Sequence, residues 1–164
     1  MSDLLGNLIS RARQLAKAGE MQEAHSLAAE LTRLYPSLCE AWVLGAYLHA
    51  LDQDYVSAVA VLSEAINLNS LEPGLFFHRG RNEIKLGQDR AALDDFSRGL
   101  DLCDQFDNDY YRETLLFMRA EALLRLGRKA EARADLARVR DGFTIWTYRL
   151  VSKEALLGEC LRAD

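Results

Sequence analysis

Ala24, Ala58 and Ala92 recur at one fixed interval, and Ala132 follows after an interval six positions longer. Each alanine sits in the same local frame. A turn precedes it: Gly19-Glu20, Gln53-Asp54, Gly87-Gln88 and Gly127-Arg128. An apolar residue follows one helical turn later: Ala28, Leu62, Phe96 and Leu136. A repeat of this length means stacked supersecondary units, not one closed core. A glycine at the turn can take the left-handed conformation that stops a first helix, and Gln53 replaces it in the second unit. The alanine then marks where a second helix crosses the first, and a larger side chain there would push the two apart. The apolar residue one turn on packs into the same seam.

Composition agrees with helices. Only two prolines, Pro36 and Pro73, interrupt 164 residues, and Ala, Leu, Glu and Arg favour helix. Apolar residues make up 49% and charged residues 27%, as in an ordinary folded chain. The formal net charge of −5 weighs against a nucleic-acid binder, which usually carries a basic excess. Cys39, Cys103 and Cys160 are widely spaced and form no C-x-x-C, so they read as reduced, packed thiols and not as a zinc knuckle. The first residues lack a basic segment followed by an apolar core, so no signal peptide is expected. The most apolar stretch, Ala41 to Leu51, is too short to span a bilayer. The expectation is a soluble cytoplasmic protein with no membrane or nucleic-acid partner.

The helix-turn-helix period resembles the tetratricopeptide repeat. Repeat one covers about 5–38, with Leu8 at the usual Trp position, Ala12 at the small position and Pro36 closing the unit. Repeat two covers about 39–72, with Trp42, the pair Gly45 and Ala46 expected to pack closely, and His49 where Tyr is usual. Repeat three covers about 73–106, with Phe76, Gly80, Ala92 and Phe96, and Glu83 in place of an aromatic residue. Repeat four covers about 113–146, with Leu116, Ala120, Leu123, Ala132 and Leu136. The resemblance implies one all-α domain, a right-handed solenoid of four repeats. A stacked array must cover its last apolar face. Residues Trp146 to Arg162, with Leu150, Leu157 and Leu161 among Arg149, Lys153, Glu154 and Glu159, are expected to form one capping helix over about 146–162.

The six extra residues before Ala132 fall within Asp101 to Arg112. Asn and Asp there favour turns and helix starts. Asp104, Asp107 and Asp109 lack the Gly and Glu that a calcium loop needs, so no metal is expected. The main reading is a longer helix pair with an acidic turn. The other is a secondary contact anchored by Phe106, Tyr110 and Tyr111, since aromatic anchors are common in interfaces.

The resemblance also implies that the first helices line a concave groove holding a partner protein or peptide. The inward positions are Ile9, Arg13 and Lys17, then Val43, Tyr47 and Leu51, then Phe77, His78, Arg81 and Lys85, then Phe117, Met118, Glu121 and Arg125. Ile9, Val43, Phe77 and Phe117 would form an apolar line. Arg13, Lys17, Arg81, Lys85 and Arg125 would flank it with positive charge, Glu121 being the acidic exception. Such a groove suits an acidic segment with aliphatic or aromatic anchors. The Lys and Asn residues by which some relatives clamp a chaperone carboxylate are replaced here by Ile9, Arg13, Leu44, Gly74 and His78.

No phosphate loop, dinucleotide glycine pattern, H-E-x-x-H or G-x-S-x-G occurs, and His25, His49 and His78 fall in different helical frames, so neither catalysis nor a cofactor is expected. The leading expectation is a non-catalytic adaptor or scaffold. A secretion chaperone and a toxin-neutralising immunity protein are alternatives within protein binding. Self-association through the solenoid ends or residues 106–111 is the structural alternative.

Overall fold

The computed structural model describes residues 2–146 and 150–162. Four helix pairs follow one another: α1 (Ser2–Ala18) with α2 (Met21–Leu34), α3 (Cys39–Leu51) with α4 (Tyr55–Leu68), α5 (Pro73–Lys85) with α6 (Asp89–Phe106), and α7 (Arg112–Arg125) with α8 (Lys129–Leu136). A short hairpin, β1 (Thr144–Trp146) and β2 (Leu150–Ser152), leads to α9 (Lys153–Leu161). Each of the paired helices packs on the next in sequence, and α1 also touches α3, α3 touches α5 and α5 touches α7. The first helices therefore run close together while the second helices are spread on the opposite side. That is the curvature of an α-solenoid.

The four turns have one geometry. Gly19, Gln53, Gly87 and Gly127 take positive φ of 85°, 61°, 70° and 73°. The next amide reaches back five residues to close the helix end: Glu20 to Leu15 at 2.9 Å, Asp54 to His49 at 2.9 Å, Gln88 to Glu83 at 2.9 Å and Arg128 to Leu123 at 2.8 Å. This bond satisfies a carbonyl that the helix leaves orphaned. Gln53 does it without glycine, against the steric cost of the left-handed region.

The repeated alanines lie in the seams. Ala24, Ala58, Ala92 and Ala132 are all 0% exposed. Ala28, Leu62, Phe96 and Leu136, one turn on, are buried beside them. Ala12, Ala46 and Ala120 fill the small position of the first helices. At Gly80 the space is tighter still, because an added Cβ would stand 2.5 Å from the Phe96 ring. Gly45 was expected to pack as closely and does not. Its Cβ would meet only Val61, at 3.6 Å.

Caps set the helix starts. Asp54 accepts a hydrogen bond from the Ser57 amide at 3.0 Å, and Glu72 accepts from Gly74 at 3.1 Å with Pro73 in the first turn. Trp42 donates its indole N–H to the Pro36 carbonyl at 2.9 Å, which also accepts from the Asn69 side chain at 3.2 Å. One loop is thus tied to two helices of the second repeat.

The six extra residues lengthen α6, which continues to Phe106 and ends on a left-handed Asp107. Arg112 then pairs with both Asp104 and Asp109 across the turn.

The C-terminal segment departs from the expected single helix over 146–162. Ile145 pairs opposite Val151 in an antiparallel hairpin, and helix begins only at Lys153, where Ser152 accepts from the Ala155 amide at 3.1 Å. Phe143, Thr144, Ile145 and Val151 are aromatic or β-branched, residue types that favour strand over helix. Arg149 lies outside the described residues. The hairpin and α9 cover the last pair: Phe143, Val151 and Leu156 join one core cluster with Phe117 and Leu136.

Candidate partner-binding groove

Arg13 and Lys17 are exposed on α1, and Tyr47 and Leu51 keep 44% and 47% of their surface on α3. Ile9 and Val43 are half-buried on the same two helices. On α5, Lys85 is exposed and His78 and Arg81 are half-buried. These inward positions keep solvent-accessible surface.

The charges converge on His78. Its ring is pushed down to about 3, first by burial and then by Arg81 and by Arg13. Arg13 belongs to α1 and His78 to α5, with α3 between them. At neutral pH the ring is therefore uncharged, able to donate one hydrogen bond and accept one, in a rim made positive by the two guanidiniums. A carboxylate entering here would meet complementary potential.

The apolar line does not continue as an open surface. Phe77 is only 6% exposed. The Arg81 guanidinium lies 5.3 Å from its ring centre, and the rings of His78 and Tyr111 stand 4.9 and 5.8 Å away. Phe117 and Met118 are core residues at 0% and 1% exposure, and the Phe117 ring packs 5.2 Å from Phe143. The segment leading into the hairpin thus covers Phe117 on α7, which the helical pattern of α7 alone could not reveal. Glu121 is also buried. Arg125 holds it at 3.2 Å and reaches Asp89 at 3.8 Å.

The aromatic segment after α6 divides. Phe106 and Tyr110 are 49% and 82% exposed. Tyr111 instead turns back over Gly74, where an added Cβ would stand 2.7 Å from its ring. Burial, then the charge of Glu72, pushes its hydroxyl up to about 12. The extra residues therefore place one aromatic wall at the edge of α5.

Two partly buried ion pairs, each on a buried aspartate, escaped the sequence reading. Arg79 makes a two-bond pair with Asp95, each bond 2.7 Å, and Arg119 does the same with Asp135. Arg and Asp are equally separated in the chain in both pairs, and one pair is offset from the other by the interval between Ala92 and Ala132. That recurrence was the available signal. Among the described residues, no group of three or more His, Cys, Asp or Glu is placed to hold a metal, and no helix is long and apolar enough to cross a membrane. Cys39, Cys103 and Cys160 are free thiols.

No protein-family model matches the chain, and neither does any curated protein. Solved structures do match. TTC0263, a thermophilic TPR protein of Thermus thermophilus, aligns with a TM-score of 0.65 and 23% identity over 80% of this chain and 70% of its own. YrrB, a TPR protein with an unusual peptide-binding site, aligns with a TM-score of 0.61 and 22% identity over 79% of this chain, which spans 64% of YrrB. SycD, a type III secretion translocator chaperone of Yersinia enterocolitica, aligns with a TM-score of 0.63 and 18% identity over 79% of this chain and 88% of SycD. Helix pairs in register, left-handed turns at matching positions and these superpositions agree on one architecture: the chain has the tetratricopeptide-repeat fold.

Proposed function

We propose that the chain is a non-catalytic protein-interaction module that holds an acidic segment of a partner protein against α1, α3 and α5. The observation that carries this reading is the accessible strip along the first helices, with Arg13 and Lys17 exposed on α1, Tyr47 and Leu51 on α3 and Lys85 on α5, beside an Arg81 guanidinium 5.3 Å from the Phe77 ring centre. Guanidiniums pair with carboxylates through two parallel bonds, and Tyr adds contact area at low entropic cost. Phe106 and Tyr110 extend the surface at its far edge. The closed α7 end confines the site to the first three repeats, so Phe117 and Glu121 serve the core and not the guest. YrrB's peptide-binding site supports peptide recognition on this fold. Similarity over most of SycD's length favours a secretion chaperone as the second reading.

The test is charge reversal. Partners captured by the wild-type chain from its native cell are to be retitrated against Arg13→Glu with Arg81→Glu at low salt. Affinity is expected to fall at least tenfold, about 1.4 kcal/mol, and the wild-type interaction is expected to weaken with salt. Unchanged affinity at low salt refutes the basic groove.

A further inference from the structure

The opposite face holds a second cavity with its own logic. Between successive second helices runs a cleft floored by the intervening first helix. In the α6/α8 cleft, Arg119 rises from the floor to bind Asp135. In the α4/α6 cleft, Arg79 rises in the same way to Asp95 and also donates to the Ser63 hydroxyl on α4 at 3.1 Å. Ser97 holds the place of Ser63 one repeat later. A Ser-Arg-Asp set therefore recurs, and its arginine occupies the cleft floor.

One repeat earlier, the places of Ser63, Arg79 and Asp95 are held by Ala29, Gly45 and Val61. All three polar members are absent together, and the three residues left are small or apolar. The cleft between α2 and α4 is correspondingly large, about 880 Å³ against about 400 Å³ between α6 and α8. That volume lies within the range of ligand sites. Trp42 and Leu68 extend its apolar lining.

One end of the cleft is polar. The rings of His25 and His49 stand 4.7 Å apart. His25 Nε2 meets Asp52 at 2.8 Å, and His49 Nδ1 lies 3.7 Å from Asp54. Hydrogen bonds from Ser57 hold the Asp54 carboxyl below its usual range, so it is ionised at neutral pH. Around the cleft, Asp52, Asp54 and Glu64 stand against Arg33, a negative balance opposite in sign to the rim around His78.

We propose that the α2/α4 cleft is a second docking site, for a partner segment that places an aliphatic or aromatic side chain over Gly45 and Val61 and an adjacent Lys or Arg against Asp52 and Asp54. The guest side chain takes the space that Arg79 and Arg119 fill from within the chain in the other clefts. The carboxylates fix its direction. This site is independent of the concave groove and prefers the opposite charge.

The experiment pans a display library of random twelve-residue peptides on the full chain, followed by titration of the synthesised hits. Gly45→Arg with Val61→Asp installs the ion pair of the neighbouring repeats and closes the cleft, circular dichroism confirming the fold. Gly45→Leu is the second closing variant, since Cβ space exists at that position. Hits pairing an apolar residue with Lys or Arg are expected, weakened at least tenfold by either closing variant and by Asp52→Asn with Asp54→Asn, and unchanged by Arg13→Glu with Arg81→Glu. An empty panel, hits indifferent to both closing variants, or cleft-dependent hits that lack a basic residue would overturn the proposal. Hits that respond only to the arginine reversals would also overturn it while supporting the concave groove.

Discussion

Glu83 shows how one buried group ties stability to pH. It is 6% exposed on α5. Burial, and then the charge of Asp95, pushes its carboxyl from 4.5 up to about 7. The folded chain thus keeps a proton that the unfolded chain releases between those values. The stability linked to that proton is complete below the unfolded value and is lost as pH rises through the folded one. Glu83→Gln is neutral at every pH. Relative to wild type, its stability in urea titrations should rise from about pH 5 to about pH 8, by on the order of 2 kcal/mol. A difference that stays flat across that window would mean Glu83 is not the group that holds the proton. The neighbouring Arg79–Asp95 pair explains the site: one guanidinium faces two buried carboxyls, and it binds Asp95 at 2.7 Å but only approaches Glu83, at 4.0 Å.

Among the elements, the hairpin and α9 take the place that a further repeat would fill. They cover α7 and α8, and Phe143 is their aromatic contact with the core, 7% exposed and packed near Phe117. Lys153 pins the segment, donating to the Val139 carbonyl at 2.6 Å and to Asp141 at 2.7 Å. Phe143→Ala should cost about 3 kcal/mol, as aromatic truncations in cores do. Guanidinium denaturation checks this, and a loss below about 1 kcal/mol would make the hairpin a loose flap and leave the groove over α7 open. The run of aromatic and β-branched residues after Gly142 was legible as strand. It was hidden by the apolar spacing of Leu150, Leu157 and Leu161, which also fits a helix.

Across the whole molecule the core is unevenly built. The first cluster joins α1, α2 and α3 through Ala12, Ala24, Ala28, Leu31 and Leu44. The last joins α5 through α9 and includes Phe77, Phe96, Phe117, Met118 and Phe143. Larger side chains bury more apolar area per residue. In a solenoid each unit leans only on its neighbours, so stability varies along the array. Backbone amides of α1 and α2 should exchange with deuterium at least tenfold faster than those of α6 and α7. Equal protection at both ends would mean the array opens as one unit.

Helix pairing, turn positions and seam residues could be read in the chain itself, because close packing of paired helices demands a small residue and a left-handed turn at each period. Arg13, Tyr47 and Arg81 could be expected on the accessible side of the first helices because a regular repeat carries a residue's face with its position. Other properties arise only between distant segments. The loss of Phe117 to the core depends on Phe143, just ahead of the hairpin, folding back over α7. The low pKa of His78 depends on its burial in the folded chain, with the charges of Arg81 and then Arg13 adding to it. The open cleft over Gly45 depends on an ion pair that neighbouring repeats have and this one lacks. Local spacing sets which face of a helix a side chain occupies, but only the assembled fold decides what lies opposite it.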